Sequence, residues 1–335
     1  MRKSIEEISY NKTLDLFETQ LAIKFVKDTF QKELIKQLNL VRVTAPMFVV
    51  GKTGLNDNLS GVETPVNFNV KNIDGNVEIV HSLAKWKRMA LGKYNFKTDT
   101  GLYTDMNAIR KDEDLDFYHS IYVDQWDWEK VITSNDRNIT YLKKTVSKIY
   151  KAIYKLQEKV TAKYPILTNK LPKNIHFIST TELENMYPNL SSKEREDAIC
   201  RKYKAVFLYQ IGYKLPSGNP HDSRSADYDD WDLNGDIIVY YPVLDIALEL
   251  SSMGVRVDEE SLKRQLDLAG CPERAELEFQ KALLNHELPY TIGGGLGQSR
   301  ICMFFLRKAH IGEVQSSTWP EHIVKAAYEN GIQLL

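Results

Sequence analysis

Cysteine is scarce in this chain: Cys200, Cys271 and Cys302 are the three in 335 residues, far apart and without C-x-x-C spacing. That excludes a disulfide framework and a cysteine-based zinc site, and it points to a reducing, cytoplasmic setting. An excess of one charge is also missing. Lys plus Arg number 44 against 45 Asp plus Glu, a net charge of −1, so the basic surplus of a protein that holds long nucleic acid is absent. No apolar run approaches the roughly 20 residues that cross a bilayer. The start, MRKSIEEISYNK, lacks the apolar stretch of a secretory signal. No repeat, low-complexity tract or Pro/Gly/Ser-rich linker divides the chain, so residues 1–335 read as one domain. What remains is ordinary globular composition, 43% hydrophobic and 27% charged, in a chain long enough to bury a substantial core.

Helical spacing of Leu14, Phe17, Leu21, Phe25, Val26, Phe30, Leu34 and Leu38 predicts a long amphipathic helix from about Lys12 to Leu38. VRVTAP, stopped at Pro46, reads as a strand end. Leu142, Val146, Ile149, Ile153, Leu156 and Val160 predict a second long helix over Ile139–Ala162, lying on a sheet rather than in a coiled coil. Ser191-x-x-Glu194 is a capping box opening a third. The runs VEIVHS, SIYVDQWDW, AVFLYQIG, GDIIVYYPV and ALELSS read as strands. Their alternation predicts an α+β fold with a largely antiparallel sheet flanked by helices.

Two glycine motifs invite nucleotide readings. Gly51-Lys52-Thr53 resembles the end of a P-loop, but Pro46 stands where the first glycine belongs and a loop follows. A P-loop is excluded. Gly293-Gly294-Gly295-Leu296-Gly297-Gln298-Ser299-Arg300 fails the dinucleotide fingerprint, since Arg300 occupies the last glycine position. It reads equally as a glycine-rich turn before a buried helix or as a nucleotide site. Arg300, at the head of an apolar helix, suits a phosphate or a base.

Polar groups also gather on strands. Gln125, Asp127 and Glu129 share one face, with Asp124, Trp126 and Trp128 on the other. Taken alone, this fits a solvated face opposite a tryptophan-packed one. Glu249 and Ser251 share a face between leucines, and Arg256 joins them only if Gly254 breaks the alternation. Asp222, Arg224, Asp227, Asp229, Asp230 and Asp236 form an acid-rich stretch, able to hold Mg²⁺ but by default an exposed loop. HSLAKWKR, from His81 to Arg88, is either a carboxylate clamp or an exposed basic helix start.

Together these segments resemble, in order and across almost the whole chain, the ammonia-dependent asparagine synthetases. The blocks are DNLSG (57–61), HSLAKWKR (81–88), GLYTDMNAIR (101–110), YVDQWDWE (122–129), DYDDW (227–231), LNGDI (233–237), LELSSMGVRV (248–257) and TIGGGLGQSR (291–300). Only Asp232 separates DYDDW from LNGDI, where some members carry a longer insertion. The resemblance implies the antiparallel catalytic fold of class II aminoacyl-tRNA synthetases, with Pro46 ending a dimer-interface motif, and hence a homodimer. It implies that ATP adenylates the side-chain carboxylate of L-aspartate and that ammonia then gives asparagine and AMP. Asp57, Arg110, Gln125 and Asp127 become the catalytic candidates, with the base that deprotonates ammonia left open between Asp57 and Asp127. Asp57, Ser82, Lys87, Gln125, Asp127, Ser251 and Arg256 would hold aspartate. Arg110, Asp229, Glu249, Gly295 and Arg300 would hold ATP, with Asp236 and Glu249 contacting Mg²⁺.

The rival reading is a tRNA synthetase, which carries an anticodon-binding domain. Here the first long helix begins within about 15 residues by periodicity, leaving no room for one. A dead regulatory paralogue would lose the phosphate-facing arginines, yet Arg110 and Arg300 are present. Free ammonia is expected over glutamine as nitrogen donor, because the chain begins Met1-Arg2-Lys3 and not with a nucleophilic cysteine.

Overall fold

The computed structural model describes residues 10, 12–57, 59, 63–168 and 170–335. The opening nine residues, and Asn58, Ser60 and Gly61 of the DNLSG block, lie outside the described residues. The backbone is organised by an eight-stranded sheet in the order β1-β5-β6-β11-β10-β9-β8-β7. Its strands are β1 (Leu40–Arg42), β5 (Gly101–Ile109), β6 (Tyr122–Val131), β7 (His176–Ser179), β8 (Ala205–Tyr209), β9 (Asp229–Tyr241), β10 (Ile246–Arg256) and β11 (Thr291–Gly297). The middle of the sheet is antiparallel as expected, but both edge strands pair in parallel, β1 with β5 and β7 with β8. A small antiparallel sheet, β2-β4-β3, is built from β2 (Phe48–Val50), β3 (Asn67–Phe68) and β4 (Val77–Ile79).

One face of the large sheet is covered by α1 (Leu16–Leu38), α3 (Ile139–Lys163) and α8 (Gln298–Leu306). Trp126, Trp128, Phe207 and Ile237 meet Val26, Phe30, Ile149 and Phe304 there in a single apolar core. Both long helices begin on side-chain caps: Asp15 accepts from Glu18 N and Asn138 from Tyr141 N. The Ser191/Glu194 capping box is formed at the head of α5 (Ser192–Tyr203). The helical stripe of α1 is narrower than its sequence predicts. Val26, Phe30, Leu34 and Leu38 are buried, whereas Phe17 and Leu21 face outward, 72% and 51% exposed.

The second face is only partly covered. At the β7–β9 end, α4 (Thr180–Met186) and α5 bury Leu183 and Ile199 against Val206, Leu208 and Ile238. Near β5 and β6, α2 (Ala84–Lys93) buries Ala90 and Leu91 against Leu102 and Val131. Trp231 packs with α6 (Glu259–Leu268) and α7 (Glu278–Leu284), and α9 (Glu321–Glu329) closes the fold. Between these covers a stretch of β6, β11 and β10 carries no helix. Among the described residues no helix is long and apolar enough to cross a membrane.

Candidate functional site

The uncovered stretch floors a cavity of about 320 Å³. Of the candidate residues, all but Asp236 and Ser251 line it. Strand alternation explains how β6 contributes: Trp126 and Trp128 enter the apolar core, which sends Gln125, Asp127 and Glu129 to the opposite side. That side is not a solvated face. Asp127 is 3% exposed and Glu129 fully buried.

Glycine makes room for them. β11 runs beside β6 with Gly293 opposite Glu129 and Gly295 two places along. A Cβ on Gly293 would lie 1.9 Å from Glu129 Oε2, and one on Gly295 2.1 Å from Gln125 Oε1. The glycine-rich motif is therefore an inner strand, not a turn; its missing side chains are the space into which its neighbour's polar groups lean.

A dense ion network results. Arg256 donates from Nε to Glu129 Oε1 at 2.9 Å and from Nη2 to Oε2 at 2.7 Å, while Nη1 pairs with Asp229. Lys87 pairs with Asp127, donates to the Trp128 carbonyl at 2.9 Å and sits 3.7 Å from Glu129 Oε2. Burial alone would raise Glu129, but Arg256 and Lys87 outweigh it and hold the carboxyl below its ordinary value. Asp229 goes the other way. Burial raises it, and its contact with Arg256 cannot compensate while Glu129 sits across the same guanidinium. The HSLAKWKR segment is likewise buried rather than an exposed helix start. Lys85 pairs with Asp227 at 2.9 Å, and Arg88 donates to the carbonyls of Pro289 and Val257.

The other end of the cavity is looser. Arg110 donates to the His81 carbonyl at 3.4 Å, and its Nε is buried without a partner. Arg300 lies 3.4 Å from Glu249 Oε2 and above the Tyr118 ring, 5.6 Å from its centroid. Asp236 pairs with Arg224, a cavity-lining arginine, and the second oxygen of Asp236 is buried without a partner. Burial pushes Asp236 up to about 7 despite Arg224, with Glu249 and Asp222 adding to the rise. The acid-rich stretch is no exposed loop: Asp227, Asp229, Asp230 and Asp236 are all buried, each beside a cation. Among the described residues no group of three or more His, Cys, Asp or Glu side chains is arranged to hold a metal.

Three placements depart from expectation. The alternation of β10 breaks not only around Gly254 but between Glu249 and Ser251, where its register with β9 shifts. The shift puts Ser252 in the cavity with Glu249 and Arg256. Ser251 instead turns away and donates to the Gly295 carbonyl at 2.9 Å. Asp229, expected with the nucleotide, is fixed to Arg256, a residue expected with the amino acid. Asp236 stands behind Arg224 rather than in the cavity wall. Arg224 and Ser252 were not among the expected site residues; an arginine inside an acid-rich stretch is the signal for the first, and the register shift hides the second.

The sequence profile of the family described as aspartate-ammonia ligase matches residues 17–331. The aspartate–ammonia ligase of Clostridium tetani is 62% identical over 327 residues, which cover 97% of this chain and 96% of that protein. Those of Fusobacterium nucleatum and Pediococcus pentosaceus are 59% and 56% identical, each covering 98% of this chain and 100% and 98% of the relative. The chain belongs to the aspartate–ammonia ligase family. Solved structures similar to this ligase-family chain include the asparaginyl-tRNA synthetase of Pyrococcus horikoshii complexed with asparaginyl-adenylate. Its TM-score is 0.62 at 15% identity, covering 90% of this chain and 70% of that one. The aspartyl-tRNA synthetase of Entamoeba histolytica gives 0.60 at 14%, covering 89% and 58%. At such identity the likeness establishes the fold, that of the class II synthetase catalytic domain.

Proposed function

We propose that this family member, as a single catalytic domain, makes L-asparagine from L-aspartate, ammonia and ATP, releasing AMP and pyrophosphate. One observation carries the reading: a single cavity joins a buried, densely paired ion network at one end to arginines with open donors at the other. The first suits a small zwitterion; the second suits a triphosphate.

Aspartate lies over β6, β11 and β10. Lys87 and Arg256 meet its carboxylates, and Asp57, Ser82, Gln125 and Asp127 meet its ammonium and amide-forming end. Asp229 serves by holding Arg256. A β-carboxylate oxygen attacks the α-phosphorus of ATP, the bond to the bridging oxygen breaks, and pyrophosphate leaves with the electron pair. Arg110 and Arg300 hold the phosphates, so catalysis is chiefly positioning and charge neutralisation. Ammonia then attacks the acyl carbon of the aspartyl-adenylate. The carbon–oxygen bond to AMP breaks, and the surplus proton passes to a carboxylate. Asp127 Oδ2, buried without a hydrogen-bond partner, is the better placed acceptor. The asparaginyl-adenylate bound by the Pyrococcus synthetase belongs to the same class of anhydride.

The residues present fit Mg²⁺. Asp236 offers an unpartnered buried oxygen and Glu249 stands beside it, a pair of carboxylates of the kind Mg²⁺ combines with phosphate oxygens and water. The ion would neutralise phosphate charge. Exposed Phe17 and Leu21 on α1, Val41 on β1, Phe48 on β2 and Met47 just before β2 support a homodimer. The three free cysteines support a cytoplasmic setting.

Purified protein given aspartate labelled with ¹⁸O in its β-carboxylate, ammonium, ATP and Mg²⁺, without tRNA, is expected to yield asparagine and ¹⁸O-labelled AMP. Release of ADP and phosphate, or AMP free of label, would rule out the adenylation route. Product formed only with tRNA would favour the synthetase reading.

A further inference from the structure

We propose that Arg224 is the arginine of the leaving group: here it closes on Asp236, and with substrate it turns to the end phosphates of ATP while a divalent cation takes its place on the carboxylate. The assignment rests on the proposed function and deepens it.

Two neighbouring groups carry the case. Arg224 lines the cavity and pairs through Nη2 with Asp236, yet its Nε is buried without an acceptor. Asp236 Oδ1, in the same pair, is buried without a donor. A guanidinium offers five N–H groups in a fixed plane, and a carboxylate has lone pairs on both oxygens. This pair therefore satisfies neither member. The contrast with Arg256 is plain: there Nε, Nη1 and Nη2 each already meet a carboxylate oxygen. What Arg224 Nε lacks is an acceptor; what Asp236 Oδ1 lacks is a donor or cation of its own. A magnesium triphosphate supplies both.

The surroundings restrict the motion to a side chain. The segment before Arg224 is tied to α4 and α5, His221 Nε2 lying 3.0 Å from Glu196 and Ser217 Oγ donating to Glu184 at 2.7 Å. The segment after it is tied by Trp231 Nε1, which donates to the Ser225 carbonyl at 3.3 Å. With the backbone held on both sides, Arg224 can exchange partners by rotation alone. Arg300 meets Glu249, so the neighbouring Asp236 and Glu249 carboxylates each have an arginine of their own. As the α-phosphorus bonds to aspartate, the electron pair of the breaking bond moves onto pyrophosphate, and Arg224 meets that growing charge.

Calorimetric titration of wild type, Arg224→Met and Arg224→Lys with AMP and with α,β-methylene-ATP, both in Mg²⁺, tests this. Arg224→Met is expected to weaken the triphosphate analogue by about tenfold or more and AMP by less than about twofold, with partial recovery in Arg224→Lys. In steady state KM for ATP rises while KM for aspartate holds. Equal weakening of both nucleotides would mean that Arg224 only supports the fold, and an unchanged analogue affinity would mean that it only neutralises Asp236; either overturns the proposal. Should Arg224→Met fail to fold, Arg224→Lys is read by the same criteria. A wild type that binds no analogue at all would sink the proposed function, and this assignment with it.

Discussion

The two ends of the cavity are built on opposite plans. At the β6/β11/β10 floor, Arg256, Glu129, Asp229, Lys87 and Asp127 are buried and bonded to one another, with Asp127 Oδ2 left open. At the rim, Arg110, Arg224 and Asp236 each keep a buried polar atom unpaired, and the Arg300–Glu249 pair is partly exposed. On the proposed reading, with aspartate on the floor and ATP at the rim, the difference separates specificity from turnover. A small amino acid gains from a rigid, preorganised frame, since ordering is then finished before it binds. A triphosphate that must enter and leave as AMP and pyrophosphate gains from groups that are satisfied only while it is present.

The contrast can be broken at its strongest point first. Glu129→Ala strips Arg256 of three buried hydrogen bonds, and about 3–5 kcal/mol of stability should be lost in urea unfolding; a loss below about 1 kcal/mol would show that the floor is not a closely paired network. Gly293→Ala forces a methyl into the space of Glu129 Oε2. Its kcat/KM for aspartate should fall about 100-fold, with KM for ATP changed only a few-fold, and a matched rise in both KM values would erase the distinction between the ends. Arg300→Ala at the rim should raise KM for ATP about 10-fold or more while stability shifts by less than about 0.5 kcal/mol. A large loss of stability there would make the rim structural.

Acidity offers the finest division. Asp236, pushed up to about 7, binds a proton more readily folded than unfolded, so its contribution to stability grows as pH falls from 8 toward 5. Glu129, held below its ordinary value, contributes fully at neutral pH and loses that contribution only as pH falls through its lowered folded value. Wild type should therefore gain about 2–3 kcal/mol relative to Asp236→Asn between pH 8 and pH 5. A difference that is flat over that range would place Asp236 with the ordinary carboxylates.

Much of the fold was legible beforehand because it follows local rules. Two long helices, their caps and most strands obey periods of 3.6 and 2 that any stretch of chain displays. The parallel edges β1 and β7 were not legible, since strand partners are chosen by distant segments. Nor was the burial of the acid-rich stretch: Asp227 and Asp230 look solvated until Lys85 and Arg137, far away in sequence, are brought against them. Ser251 was misplaced for a similar reason. Alternation assumes an unbroken strand, and the register shift beside Leu250 exists only in the pairing with β9.

By itself the sequence determined the element types, the family and the set of chemical groups available, because these depend on residue identity and on neighbours within a turn or two. Tertiary structure alone decided which of those groups are spent on each other and which are left open. Pairing in a buried network is a matter of three-dimensional distance and desolvation, and neither is written in the spacing of a single chain.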